Sequence, residues 1–139
     1  MHYLERIREE GRDANPFFRL MGVGVDHVEK GTATIRMTVR PDMQNGEGFL
    51  QGGMFTALAD EAMALAIYSV LEHGETIATI TESTSFLKGI REGTVTAEGI
   101  VVRKGRRVVF AEGIVRTRRD GGEVVLSKTT AAYALTRSG

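Results

Sequence analysis

The run Met54 to Leu71 limits the fold of this chain more than any other feature. It is the longest apolar stretch, and its alanines, leucines and methionines favour helix. Apolar residues lie nearly all round it, so such a helix is expected to be buried rather than laid on a surface. Asp60 and Glu61 interrupt it near the middle. That argues against a membrane span, because a charge at the bilayer centre costs roughly 2.5–3.5 kcal/mol or more. A helix that is hydrophobic on all sides must be wrapped by the rest of its own chain.

What surrounds it is mostly period two. Thr32 to Arg40 puts Ala33, Ile35, Met37 and Val39 on one face and Thr34, Arg36, Thr38 and Arg40 on the other, the pattern of a half-buried strand. Val23 to Glu29 precedes it as a shorter strand, with Gly31 in the turn between them. After His73-Gly74 the alternation returns over Thr76 to Leu87, Thr94 to Arg103, Arg107 to Arg118 and Glu123 to Leu135. Turns are expected at Lys88 to Gly93, at Lys104-Gly105 and at Asp120-Gly121-Gly122. Upstream, Met1 to Glu10 has Tyr3, Leu4 and Ile7 at helical spacing, and Gly11 ends it. Asn15-Pro16 then starts a turn into the apolar knot Phe17, Phe18, Leu20, Met21. The expected fold is α+β: a short N-terminal helix and turn over residues 1–21, then one long helix and an antiparallel sheet of about six strands. With 139 residues this is one domain, residues 1–139. Seventeen glycines against two prolines suggest many turns.

Composition narrows the function. Eighteen basic side chains balance eighteen acidic ones, so no excess positive charge points to nucleic acid. There is no cysteine, hence no disulfide framework, thiol nucleophile or thiolate metal site. This fits a reducing cytoplasm, as does an N-terminus without an apolar signal core. His2, His27 and His73 are scattered without metal-ligand spacing, so no metal is expected.

The segment Asn45 to Ala62 carries the candidate chemistry. Gly52-Gly53 opens the long helix, where first-turn N–H groups are unpaired and the macrodipole is positive. Glycine there lets a ligand oxygen approach the backbone, and such an amide can polarise a carbonyl or stabilise an oxyanion. Asp60 lies about two turns in, where a carboxylate is costly unless paired or functional. Both features also have plain structural readings: a turn before a helix, and an acid that caps a neighbouring segment or binds an arginine.

Three stretches change that balance: Asn15-Pro16-Phe17-Phe18…Met21-Gly22; Asn45…Gly48…Gln51-Gly52-Gly53…Leu58-Ala59-Asp60…Ala62; and Thr79…Ser85-Phe86-Leu87-Lys88. With them the chain resembles the hotdog-fold acyl-CoA thioesterases of the phenylacetate-degradation (PaaI-like) type over nearly its whole length. The resemblance implies a central helix wrapped by a curved sheet. It implies Asp60 as general base or nucleophile, the Gly52 amide as the donor to the thioester carbonyl, and Asn45 holding substrate or water. Thr79 is the helping hydroxyl, its match being the weakest. It also implies a site shared between two subunits, hence a dimer or a dimer of dimers, which would also cover the sheet edges. No cofactor is implied beyond coenzyme A as part of the acyl-CoA substrate.

One departure stands out. Where the family usually has His before Gly-Gly, this chain has Gln51, which forms hydrogen bonds but carries no proton near neutral pH. Gln51, Gly53 and Phe86 are assigned to substrate binding; Phe86, with Phe49, Leu50, Met54 and Phe55, suits either an acyl pocket or core packing. The basic turn Arg103-Lys104-Gly105-Arg106-Arg107 is either a solvated hairpin tip or a clamp for coenzyme A phosphates through Arg106, with Lys88 and Arg91 as further candidates. The leading reading is an acyl-CoA thioesterase. A non-catalytic acyl-CoA binding module and a hotdog hydratase or dehydratase rank below it.

Overall fold

The computed structural model describes residues 2–138; Met1, expected in the first helix, and Gly139 lie outside them. Helix α1 (Tyr3–Glu10) is capped by the His2 ring, whose Nδ1 accepts from the Leu4 N–H at 3.3 Å. A 3-10 turn over Gly11–Ala14 follows. The apolar knot expected after Asn15 is itself a helix, α2 (Pro16–Met21). Pro16 suits its first position, and the Asn15 Oδ1 caps it by accepting from the N–H groups of Phe17 and Phe18 at 3.0 and 3.2 Å.

Strands β1 (Gly24–Glu29) and β2 (Thr32–Val39) form the expected hairpin. A register shift between Val25 and His27 explains why Val23, Val25 and Val28 do not keep one parity. The long helix α3 runs Gly52–Tyr68, two residues earlier at its start and three shorter at its end than the apolar run. Strands β3 (Glu75–Phe86), β4 (Gly93–Lys104), β5 (Val108–Arg119) and β6 (Gly122–Arg137) follow within two residues of expectation.

The six strands form one antiparallel sheet in the order β1-β2-β4-β5-β6-β3. One expectation fails here. The segment Lys88 to Gly93 does not close a tight turn between neighbours, because β3 pairs with β6 at the far edge and β4 with β2 and β5. The chain instead crosses from one edge to the middle. The N–H groups of Leu87 and Lys88 both donate to the Leu126 carbonyl, and Leu50 N–H donates to the Ile90 carbonyl, which secures that crossing.

Helix α3 contacts all six strands. Strands lie about 4.8 Å apart while a helix is about 10–12 Å across, so only a curved sheet can do this. The core is the helix face of Phe55, Leu58, Ala59, Ala62, Met63, Leu65, Ala66 and Ile67 against Ile35, Met37, Val95, Ala97, Val109, Ala111 and Val115. The helix is not buried all round. Gly53, Ala57, Asp60, Glu61, Ala64 and Tyr68, three or four apart, form a stripe that keeps some exposure. No helix among the described residues is long and apolar enough to cross a membrane.

Two glycines once counted toward turns do other work. Gly99 and Gly113 face each other across β4 and β5 under the helix. A Cβ at Gly99 would lie 2.4 Å from the Ala62 carbonyl carbon and oxygen, and one at Gly113 would lie 2.9 Å from the Ala59 Cβ. These positions set how closely α3 approaches the sheet. Gly99→Ala is therefore expected to lower stability by about 1–3 kcal/mol, read as a drop in thermal midpoint. Gly46→Ala, with nothing within 4 Å of its Cβ position, should leave that midpoint unchanged.

Candidate active site

Asp60 projects from α3 toward the edge of the sheet formed by β6 and β3. Its Oδ1 accepts from the Tyr133 hydroxyl at 2.7 Å and from the Thr79 hydroxyl at 3.5 Å. Thr79 and Tyr133 are cross-strand partners, so one rung of the sheet supplies both donors. These groups, with Glu61, Ala64, Tyr68, Ile77 and Ala78, line a cleft of about 160 Å³. Burial pushes the Tyr133 hydroxyl pKa up, and its bond to Asp60 adds to the rise, so Tyr133 is a donor at any neutral pH.

Two further acids stand beside Asp60. Glu61 is half-buried and accepts from the Asn15 Nδ2 at 3.2 Å. Burial pushes its carboxyl up, the Asn15 amide opposes the shift and the Asp60 charge adds to it. Asn15 thus caps α2, donates to Tyr3 and Glu61, and ties the N-terminal helices to α3. Glu82 on β3 lies within hydrogen-bonding reach of the Asp60 carboxyl. Burial, then the Asp60 neighbour, pushes the Glu82 carboxyl up to about 8.

The second group of residues gathers at the start of α3. Gln51 is the helix N-cap: its Oε1 accepts from the Gly53 N–H at 2.6 Å. The Gly53 amide is therefore spent on the cap, while the Gly52 N–H makes no hydrogen bond among the described residues. The Phe86 ring stands 3.5 Å from where a Gly52 Cβ would be and packs edge-on against Phe55, with centroids 6.1 Å apart. Asn45 folds the preceding loop, its Oδ1 accepting from the N–H groups of Glu47 and Phe49 at 3.0 and 3.1 Å. Its Nδ2 makes no bond among the described residues and is exposed.

The expected site residues thus fall into two groups in one chain. Asp60 and Thr79 are together; Asn45, Gln51, Gly52, Gly53 and Phe86 are together. Gly52 and Asp60 are eight residues apart on one helix, about 12 Å of rise, too far to act on one carbonyl. Arg106 belongs to neither group. It sits at the β4–β5 turn, at the end of the sheet where α3 terminates, beside an open depression of about 570 Å³ with Arg103, Arg107 and Phe110. Lys88, Arg91 and Arg119 line a similar depression of about 590 Å³ next to Phe49, with the Arg91 guanidinium 4.0 Å from the Phe49 ring centroid. No cluster of three or more metal-type side chains occurs among the described residues.

Tyr133 and Glu82 were not anticipated. Both stand in correctly placed strands, but which strand lies against Asp60 depends on β3 pairing with β6, and alternation alone does not reveal pairing.

Comparison with known proteins identifies the family and the fold. The sequence pattern of the Thioesterase superfamily matches residues 47–124. An esterase by name from Saccharolobus solfataricus is 28% identical over 109 residues, 78% of this chain and 77% of that one. The 1,4-dihydroxy-2-naphthoyl-CoA hydrolase of Listeria monocytogenes is 28% identical over 90 residues, 63% of this chain and 73% of that one. In three dimensions, a phenylacetic acid degradation-related protein from Ralstonia eutropha superposes with a TM-score of 0.83 at 23% identity, over 96% of this chain and 99% of that one. That likeness shows the fold.

The cap at the head of α3 can be tested directly. Gln51→Leu removes the acceptor for the Gly53 N–H and should cost about 1 kcal/mol. Gln51→Glu keeps an acceptor and adds a charge that the helix N-terminus favours, so thermal denaturation should place it at or above the unsubstituted protein.

Proposed function

Because the chain belongs to the thioesterase superfamily, we propose that it hydrolyses an acyl-CoA thioester to a free acid and coenzyme A. Asp60 is the general base or nucleophile, and the Gly52 amide is the oxyanion donor. The observation that carries this reading is the Asp60 carboxyl, held by Tyr133 and Thr79 and open to a cleft. As base, it takes a proton from water as the water oxygen attacks the thioester carbon. The C–S bond then breaks, and the thiolate leaves with that proton as the thiol of coenzyme A. As nucleophile, it forms an anhydride that water hydrolyses. In either course, negative charge grows on the carbonyl oxygen. An unpaired N–H at a helix N-terminus is suited to stabilise it.

One chain holds these groups about 12 Å apart along α3, so the reading includes a second copy. The edge strand β3 supports it. It is twelve residues long, has no partner on its outer side among the described residues, and exposes Ile80 (57%) and Phe86 (59%). A long edge with apolar side chains calls for pairing or cover. In a dimer, or a dimer of dimers, Asp60 and Thr79 of one copy meet Asn45 and Gly52 of the other. Phe86 beside Gly52 forms an apolar wall for the acyl group, and Gln51 keeps the amide of Gly52 in place. Of the basic residues, Lys88, Arg91 and Arg119 border the Asn45–Phe49 loop, whereas Arg106 stands at the opposite end of the helix. The first group therefore suits the phosphates of a coenzyme A bound at that copy's Gly52.

Thiol release from a panel of aryl and fatty acyl-CoA thioesters tests the reading. Asp60→Ala should reduce kcat/KM roughly a hundredfold or more, with the circular dichroism unchanged. Stoichiometric binding without release by the unsubstituted protein would make it a binding module instead. A second assay addresses the shared site: mixing Asp60→Ala subunits with Asn45→Ala subunits should restore activity that neither variant shows alone. Failure of every mixture to gain activity, with exchange of subunits shown, would overturn the shared site.

A further inference from the structure

Glu82 is one of two acids beside Asp60, with Glu61, that the reaction above leaves unused. It reaches that place through an irregularity in β3. Thr79 pairs with Tyr133 and Thr81 with Ala132, so Ile80 is an extra residue in the ladder. Along a regular strand, residues 79 and 82 point to opposite faces. The bulge restores their parity, and both then meet Asp60 on the helix side. The Glu82 Oε1 is fully buried there and has no N–H or hydroxyl donor among the described residues. A carboxylate oxygen in that position would carry a large desolvation cost. A carboxylic acid facing another carboxylate carries none of it, because one proton satisfies both.

We infer that Glu82 is the positioning residue of Asp60: its protonated carboxyl, turned toward the helix by the bulge at Ile80, donates to the Asp60 carboxylate and fixes its orientation. The charged groups acting on Glu82 are Asp60 and Glu61 from α3, both acidic, and Tyr133 faces the same carboxyl pair from β6. A second carboxyl held against the Asp60 charge resists ionising at neutral pH. Burial and the Asp60 charge place the shared proton on Glu82, whose loss is pushed up to about 8. Once it leaves, Asp60 loses a donor and gains a second negative charge beside the developing oxyanion. The proposed hydrolysis should then slow as pH rises through that range.

The kinetic consequence rests on the thioesterase reading; the titration does not. Carboxyl carbon-13 NMR of the full chain should show Glu82 titrating far above the ordinary glutamate range, and Asp60→Asn should move it down while burial remains. In thiol-release assays, Glu82→Gln, which keeps a neutral donor of the same shape, should retain kcat/KM at pH 7 within a few-fold. It should lose the fall in kcat/KM that the unsubstituted protein shows near pH 8. Glu82→Ala, without a donor, should lower kcat at all pH values, and Glu82→Gln recovers it. An ordinary titration of Glu82 overturns the inference even where hydrolysis is confirmed. So does an alkaline fall unchanged in Glu82→Gln, or a Glu82→Gln variant as inactive as Asp60→Ala. If no thioester is cleaved, the NMR titration alone still decides it.

Discussion

The structure depends on how closely the backbone of α3 lies on β4 and β5. At Ala59 and Ala62 the helix presents only methyl groups, and across from them Gly99 and Gly113 present none. The helix sinks until its backbone touches the sheet. Interiors pack at near-crystalline density, so such a contact is a fixed stop and not a cushion. Asp60 lies between the two alanines in sequence and a third of a turn round the helix. Its distance from the sheet is therefore set by the residues that flank it.

Sinking toward β4 and β5 has a consequence on the other side. The helix fits less closely against β6 and β3, and polar side chains occupy that seam. Thr56 on α3, Thr84 on β3 and Thr129 on β6 form a chain of hydroxyls, with oxygens 2.8 and 2.9 Å apart. Further along lie Asp60, Glu82 and Tyr133. Each group needs a partner when water is excluded; the threonines, Tyr133 and Asp60 find theirs in the seam, and the Glu82 Oε1 is left without an N–H or hydroxyl donor. One helix thus has a dry apolar side that supplies stability and a polar side that carries the candidate chemistry. Its low amphipathicity in the sequence hides this, because the polar side is built largely from alanine, glycine and two acids.

That explains what was legible in the sequence and what was not. The strands were readable from alternation, and α3 from composition, because both patterns are local. The apolar run suggested burial on every side, which overlooked that alanine and glycine are as compatible with a half-open stripe as with a core. Gly99 and Gly113 fell within expected strands, but alternation does not say which element would press on them. The β3–β6 pairing was invisible, since hydrophobic alternation says which face is buried and not which neighbour is bonded. With it went Tyr133 and Glu82. The bulge at Ile80 was equally hidden: it changes parity without any glycine or proline to mark it. Asp60 and Gly52 stood out as a buried acid and a helix-opening glycine, Asn45 and the departure at Gln51 came from a resemblance, and the structure places them in the two groups described without joining them in one chain.

Gln51 decides which half of the proposed site must handle protons. A histidine before the glycines could serve as cap and proton carrier at once. The glutamine serves as cap, with its Oε1 on the Gly53 N–H, and has no proton to give near neutral pH. In the proposed reaction every titrating proton must therefore come from the Asp60 side, where Glu82, Glu61 and Tyr133 are gathered. The helix start contributes fixed dipoles, and the mid-helix contributes movable protons. Fixed dipoles need rigid geometry, which the cap and the Phe86–Phe55 stack provide. Movable protons need neighbouring acids in low dielectric, which the seam provides. Separating the two by about 12 Å of helix lets each be built without compromising the other, and in the proposed reaction the meeting of two copies is the step that completes the site.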